Sequence, residues 1–336
     1  MRDLGLRKCL YLSLVSAFFI ILLCFLLFHY SEPVRRDDPR RILLKSPTQH
    51  SSEREELVQV LRRATMPDRT VIITMVDEAW ASPGSILDLF LQSFRDGQDT
   101  RRFLSHLVII TMDSQAFEYC RSLHPYCIHP SILSHYFGFI APQSTPTLHH
   151  SLFSWKRNYL LLKVLELGYN IIYTDVDVMW LRSPLSHFHT LKELSISCDF
   201  SSYEQRGGNV QDGGLFYLKA SVASLEFFKL WNVRKVQYPN SQVDKSFCMN
   251  IMKSRDAIEA YGVRIQYVSA TYFGGFCQLN KDKFSEAYSM HANCCEELRS
   301  KVHDLKLVLD DWINFRSHSS KNYTALRLRA PQKCLR

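Results

Sequence analysis

Asn170-Ile171-Ile172-Tyr173-Thr174-Asp175-Val176-Asp177 decides the fold. After Asn170 the run is β-branched or aromatic and has strand length, the pattern of a strand buried on both faces. Ahead of it, Tyr159 to Leu167 reads as a helix that Gly168 stops. Two further runs of the same kind lie upstream, Val71 to Val76 (VIITMV) and Leu107 to Met112 (LVIITM). Between them Ser85 to Arg95 has helical spacing, with Ile86, Leu89, Phe90 and Phe94 on one side. Strand, helix, strand over about 40 residues is a right-handed parallel βαβ unit. Leu194 to Cys198, Leu215 to Leu218 and Val263 to Val268 are later strand candidates. The expected architecture is α/β, a mainly parallel sheet flanked by helices. Ligands of such sheets lie beyond the carboxyl ends of the strands, where Asp175 and Asp177 fall.

Composition is that of an ordinary globular chain: 336 residues, 46% hydrophobic and 22% charged. The formal charge of +8 comes from arginines and lysines scattered among acids, and no basic run is interleaved with stacking aromatics. Nucleic acid is therefore not expected as a partner, and the excess charge favours anionic ligands. Cys9 to Phe28 is a charge-free run of 20 residues, enough to span roughly 30 Å of hydrocarbon as a helix. It is too long for the apolar part of a signal peptide and ends at Phe28-His29-Tyr30, which is no cleavage site. Basic residues lie on both sides of it, so charge alone does not orient it. Outside it stand eight cysteines, Cys120, Cys127, Cys198, Cys248, Cys277, Cys294, Cys295 and Cys334. An even number without C-x-x-C spacing suits disulfides in an oxidising lumen rather than zinc. Asn322-Tyr323-Thr324 is a glycosylation sequon consistent with that side. The resulting division is a cytoplasmic tail (1–8), a signal-anchor (9–29), a lumenal stem (30–67) bearing a short helix near Arg54 to Leu61, a catalytic domain (68–316) and a C-terminal tail (317–336).

Two carboxylates one residue apart at the end of a buried strand share a face if the backbone stays extended. They repel each other in an apolar setting, and a hard divalent cation, Mn²⁺ or Mg²⁺, relieves that cost. Its open positions would take diphosphate oxygens. Arg157 and Lys163, on the preceding helix, are candidates to neutralise the diphosphate, while Lys156 reads as a solvated charge. No G-x-G-x-x-G follows the first strand, which excludes a dinucleotide dehydrogenase, and no acids cluster at several strand ends as a metallophosphatase or nuclease requires.

The stretches VIITMVDEAW, HLVIITMDSQAFEYC, LELGYNIIYTDVDVMWLRSP, QDGGLFYLKAS, FGGFCQLNKD and HANCCEELRSKVHDLKLVLDDWINF together resemble the plant nucleotide-diphospho-sugar transferase family related to glycosyltransferase family 77. The resemblance runs from about residue 68 to 316. It implies a GT-A (Rossmann-like) fold, a metal-dependent UDP-sugar donor, retention of anomeric configuration and a type II Golgi membrane protein. It further implies transfer of a pentose, xylose or arabinose, to a wall polysaccharide or glycoprotein, with a Golgi enzyme complex as an additional partner. On this basis His291 joins Asp175 and Asp177 as a metal ligand, and Thr74 and Asp77 lie where the nucleoside binds. Asp212, with Gly213 and Gly214, is placed near the donor sugar; the glycines allow either close approach to a sugar or a plain turn. Gly274-Gly275 offers the same two options, the turn being the expected one. Asp244 is the second catalytic candidate, but Lys245 stands where relatives commonly have glutamine. That departure supplies the alternative of an inactive member serving as an assembly partner.

Overall fold

The structure, a computed structural model, describes residues 47–131, 146–188, 191–199, 211–237, 247–278, 281–317 and 328–334. The proposed tail and anchor at 1–8 and 9–29, the sequon at Asn322 and the Asp244-Lys245 pair lie outside the described residues. Among the described residues no helix is long and apolar enough to cross a membrane. The chain divides into two units, Met1–Ser51 and Ser52–Arg336, and the elements below belong to the second apart from the first turn of one helix.

The strands are β1 (Thr70–Val76), β2 (Leu107–Thr111), β3 (Cys127–Ile128), β4 (Asn170–Thr174), β5 (Val178–Trp180), β6 (Leu194–Asp199), β7 (Gln211–Leu218), β8 (Ile265–Tyr267), β9 (Phe273–Gly275) and β10 (Ser289–His291). A seven-stranded sheet has the order β3-β2-β1-β4-β7-β6-β8. In it β7 alone runs against its neighbours, antiparallel to both β4 and β6; the other pairings are parallel. The mainly parallel α/β architecture is as the sequence indicates. β5, β10 and β9 form a second, three-stranded sheet.

The helices are α1 (Pro47–Ala64), α2 (Ile86–Asp96), α3 (Ser114–Leu123), α4 (Pro146–Glu166), α5 (Val222–Gln237), α6 (Phe247–Lys253), α7 (Arg255–Ala260) and α8 (Leu298–Ser317). Ile72 and Val76 of β1 face one apolar layer with α2, the small sheet and α8. Val71, Ile73 and Met75 face the other, with α1, α4, α5 and α6. Burial on both sides is why these strands are continuously apolar rather than alternating. Gly168 ends α4 at φ +77°, a conformation that costs glycine nothing.

Two boundaries differ from the sequence reading. Leu57, Leu61 and Ala64 on α1 are buried in the core, so the end of the supposed stem is part of the folded unit. Residues 328–334, assigned to a tail, bury Leu328, Ala330 and Cys334 against α8. Asp311 accepts from the Arg329 backbone N–H at 2.7 Å, and Asp304 from those of Lys333 and Cys334 at 2.9 and 2.8 Å. The C-terminal stretch is short and carries no periodicity, and its anchors on α8 lie 18 to 30 residues away in sequence.

The eight cysteines form four disulfides, Cys120–Cys127, Cys198–Cys248, Cys277–Cys294 and Cys295–Cys334. The adjacent Cys294 and Cys295 thus take separate partners. One ties the segment after β10 to the end of β9, the other to the C-terminal segment.

Candidate metal and donor site

β1 and β4 are parallel neighbours, so their carboxyl ends open on one edge of the sheet. The chain leaves β4 through a turn in which Val178 N–H donates to Asp175 C=O at 3.2 Å, and then enters β5. Asp175 and Asp177 therefore converge through a turn, not through the extended alternation expected from their spacing. Backbone bonds fix both. Asp175 N–H donates to Gly214 C=O at 2.7 Å, and Ala292 N–H donates to Asp177 C=O at 3.0 Å.

The second of these bonds brings β10 beside the acids, and with it His291. Its Nε2 lies 3.3 Å from Asp177 Oδ1 and 3.9 Å from Asp175 Oδ2. One ligand atom from each of Asp175, Asp177 and His291 lies within 4.8 Å of the other two. Two hard carboxylate oxygens and an imidazole nitrogen, gathered in a largely buried corner, are a donor set that fits a divalent cation. The three residues named from the sequence are thus brought together.

A fourth group was not anticipated. Lys301, on α8, is buried and its Nζ donates to Asp177 Oδ2. The ammonium also lies over the Trp80 ring, 4.9 Å from its centroid. Burial pushes the Asp177 carboxyl up, but His291 and Lys301 outweigh it and hold the group well below the usual carboxylate range. A lysine on a charged helix ordinarily reads as solvated. The available signal was its spacing: Lys301, Leu305, Val308 and Trp312 share one buried face.

On the other side of Asp175, Tyr173 donates its hydroxyl proton to Asp175 Oδ1 at 3.0 Å. Burial, followed by the charge of Asp175, raises the Tyr173 phenol well above its ordinary value. Arg157 sits behind this tyrosine, its guanidinium 5.4 Å from the Tyr173 ring centroid and 5.5 Å from that of Phe247. It is buried, and its Nη2 has no hydrogen-bond partner. Arg157 thus lies behind Tyr173, on the side of that ring away from solvent.

Other expectations need correction. Lys163 pairs with Glu166 at 2.8 Å and rests on the Tyr159 ring. It lies in the last turns of α4, which lead into the start of β4, the opposite end from Asp175. Lys156, taken as solvated, is half-buried, and desolvation lowers its pKa. Thr74 is fully buried within β1 and its hydroxyl has no partner, so its side chain is closed to a ligand. Asp77 is partly exposed at the strand end and builds the following turn: its Oδ1 accepts from Trp80 N–H at 3.3 Å. Gly213 and Gly214 lie within β7, not in a turn ahead of it. A Cβ on Gly213 would stand 2.1 Å from Phe273 O, and one on Gly214 2.8 Å from His291 Nδ1. The close approach these glycines permit is to the protein itself. Gly274 and Gly275 likewise lie in β9, where added Cβ atoms would meet Ala270 O and Asn293 Oδ1. The backbone of Asp212 is placed in β7 opposite Cys198; Asp244 is outside the described residues.

The family model for nucleotide-diphospho-sugar transferases matches residues 102–305, more than half of the chain, including Asp175, Asp177, His291 and Lys301. The chain belongs to the nucleotide-diphospho-sugar transferase family. It is accordingly a nucleotide-sugar glycosyltransferase, with a sugar donor and a glycan acceptor as its partners. An uncharacterized protein of Arabidopsis thaliana is 32% identical over 264 residues, covering 76% of this chain and 78% of its own. A UDP-D-xylose:L-fucose α-1,3-D-xylosyltransferase of the same plant is 29% identical over 92 residues, 24% of this chain and 25% of its own. Mouse xyloside xylosyltransferase 1, a solved structure, aligns with a TM-score of 0.39 and 12% identity, over 67% of this chain and 98% of that one.

Proposed function

We propose that this transferase moves a pentose, xylose or arabinose, from a UDP-sugar to a cell-wall polysaccharide or glycoprotein, retaining anomeric configuration within a GT-A-type fold. Asp175, Asp177 and His291 would hold Mn²⁺ (or Mg²⁺). The observation that carries the reading is the convergence of these three donors from the turn after β4 and from β10. A bound divalent cation would neutralise the diphosphate and stabilise it as a leaving group.

The chain's own residues supply position and charge. Tyr173 and the Gly214 carbonyl fix Asp175, while Lys301 fixes Asp177. Arg157, a buried guanidinium beside this corner, adds positive charge toward the diphosphate. As the acceptor hydroxyl forms its bond to the anomeric carbon, the bond from that carbon to the diphosphate breaks, and the hydroxyl proton passes to the departing diphosphate oxygen. Positioning and electrostatics account for the chemistry without a covalent intermediate. The UDP-xylose donor of the fucose-directed xylosyltransferase relative supports a pentose donor. Four disulfides and the apolar run from Cys9 to Phe28 support a membrane-anchored protein with its domain in the Golgi lumen, within reach of other Golgi enzymes.

The test uses the full-length chain purified in detergent. UDP-xylose, UDP-arabinose, UDP-galactose and UDP-glucose are compared for hydrolysis and UDP release, with Mn²⁺ and with excess chelator. Hydrolysis of a UDP-pentose that requires Mn²⁺ and vanishes in Asp175→Asn and Asp177→Asn is expected. UDP binding that persists unchanged in chelator and in both variants would overturn the metal reading; preference for a hexose would overturn the pentose.

A further inference from the structure

The stretch HLVIITMDSQAFEYC carries two polar side chains that the metal and donor chemistry leaves unused, Asp113 and Tyr119. Both act on the loop that follows β1, residues 77–85. Because β1 lies between β2 and β4, this loop stands between the metal corner at the end of β4 and α3 beyond the end of β2. On the side of α3 it is held twice. Asp113 divides its carboxylate: Oδ1 accepts from Ala116 N–H at 2.7 Å and so caps α3, while Oδ2 accepts from Glu78 N–H at 2.8 Å in the loop. Asp88 also uses both oxygens, Oδ2 for Gly84 N–H and Oδ1 for the Tyr119 hydroxyl, each at 2.7 Å. Burial, followed by the bond to Asp88, pushes the Tyr119 phenol up to about 12, so it stays a proton donor near neutrality. The helix that bears both anchors is fastened in turn by Cys120–Cys127, next to Tyr119.

Helix building accounts for only part of this. A cap on α3 needs one oxygen of Asp113, and the first turn of α2 needs one of Asp88. The other oxygen of each crosses between the loop's end of the structure and α3, and such bonds to a carboxylate are stronger than neutral ones. A loop already fixed at both ends gives up little further freedom when a ligand settles on it. Building on the donor reading above, in which a nucleotide with its diphosphate at the end of β4 lays its nucleoside over the neighbouring end of β1, we propose that Asp113 and Tyr119 are positioning residues for the donor nucleoside: they hold loop 77–85 in its binding shape before the nucleotide arrives. Neither touches donor or metal. Asp113 acts through the Glu78 backbone, and Tyr119 acts through Asp88.

The experiment titrates the full-length chain, at saturating Mn²⁺, with UDP and with inorganic pyrophosphate, which has the diphosphate but no nucleoside. Asp113→Ser keeps a good cap for α3 but is too short to reach Glu78 N–H. Tyr119→Phe removes one hydroxyl. Each is expected to weaken UDP about 10-fold, the scale of one hydrogen bond to a charged group, and to leave pyrophosphate unchanged. Adding Tyr119→Phe to Asp88→Asn should weaken UDP no further, because the hydroxyl works through that carboxylate. Asp304→Asn, which removes bonds on the far side of the metal corner, should bind UDP as the wild type does and so controls for lost stability. Each residue stands or falls by its own variant, and Tyr119→Phe serves if Asp113→Ser does not fold. Unchanged UDP affinity, or equal weakening of UDP and pyrophosphate, overturns this inference and leaves the donor reading standing. A wild-type chain that binds neither UDP nor pyrophosphate with Mn²⁺ would overturn the donor reading, and this inference with it.

Discussion

Gly214 lies directly behind the imidazole of His291: a Cβ at position 214 would stand 2.8 Å from His291 Nδ1 and 2.9 Å from Cε1. The same residue offers its carbonyl to Asp175 N–H at 2.7 Å. One glycine thus admits the histidine and anchors the first acid. Its φ of +64° adds a second demand for glycine. Gly214→Ala is expected to lose about 1–3 kcal/mol of stability from backbone strain alone, and to displace the ring, weakening Mn²⁺ binding at least about 10-fold. Gly84→Ala is the matched control. Gly84 has φ +73° and nothing within 4 Å of the added Cβ, so it should show the strain without the metal defect. Thermal unfolding and Mn²⁺ titration of both variants separate the two effects.

Arg157 leads to a prediction of opposite sign for stability and activity. Its guanidinium is buried against two aromatic rings, with one nitrogen unpartnered and no carboxylate bonded to it among the described residues. A buried charge in such surroundings is costly in the free protein. If it is retained for a diphosphate, Arg157→Met should leave the melting temperature unchanged or higher while raising the KM for UDP-sugar. A lowered melting temperature with unchanged KM would show that the residue is there for packing.

The disulfides should differ in worth according to the loops they close. On the chain-entropy relation, the Cys120–Cys127 bridge, with a separation of 7 residues, stabilises by about 2.4 kcal/mol. The Cys295–Cys334 bridge, with a separation of 39, stabilises by about 4 kcal/mol. Paired Cys→Ser variants unfolded in urea should keep that order. Removal of Cys295–Cys334 should also lower Mn²⁺ affinity, because Cys295 follows His291 by one short turn of chain; removal of Cys120–Cys127 should not.

What the sequence disclosed follows from the range of the forces involved. β1, β2 and β4 are continuous apolar runs because both faces of each are covered, and a local pattern is enough to read them. Asp175 and Asp177 are legible because a strand end beside a ligand crevice is itself a local feature. β5, β9 and β10 have three residues each, too few for any periodicity, so the small sheet that delivers His291 was invisible; the histidine was named through family resemblance. Lys301 was missed for the reverse reason. Its helix is legible, yet a lysine 124 residues from its carboxylate partner is classed as solvent-facing unless its apolar neighbours at helical spacing are weighed first. For Gly213-Gly214 the sequence leaves close approach to a sugar and a plain turn both open, since nothing local announces that β9 and His291 fill the space.

Asp304 gives a test that depends on pH. It is fully buried in α8 and accepts from His303 Nδ1 at 2.9 Å and from the backbone N–H groups of Lys333 and Cys334. Burial alone would push its carboxyl up, but these donors outweigh it and hold the pKa below the ordinary value of 3.8. A carboxyl depressed on folding contributes stability that is fully present above its unfolded pKa and is lost as pH falls through the lower folded one. Asp304→Asn retains the shape but not the charge-assisted bonds, so it should cost about 1.5–3 kcal/mol near neutrality. The gap between wild type and variant should hold from pH 7 down to about 4 and close below that. Urea unfolding of both proteins across this range checks it. A gap that persists undiminished well into acid would mean that Asp304 acts by packing, and that the C-terminal strap is held by its disulfide and apolar contacts instead. Mn²⁺ affinity at pH 7 should change little in Asp304→Asn, because the Cys295–Cys334 bridge still fastens the strap behind His291.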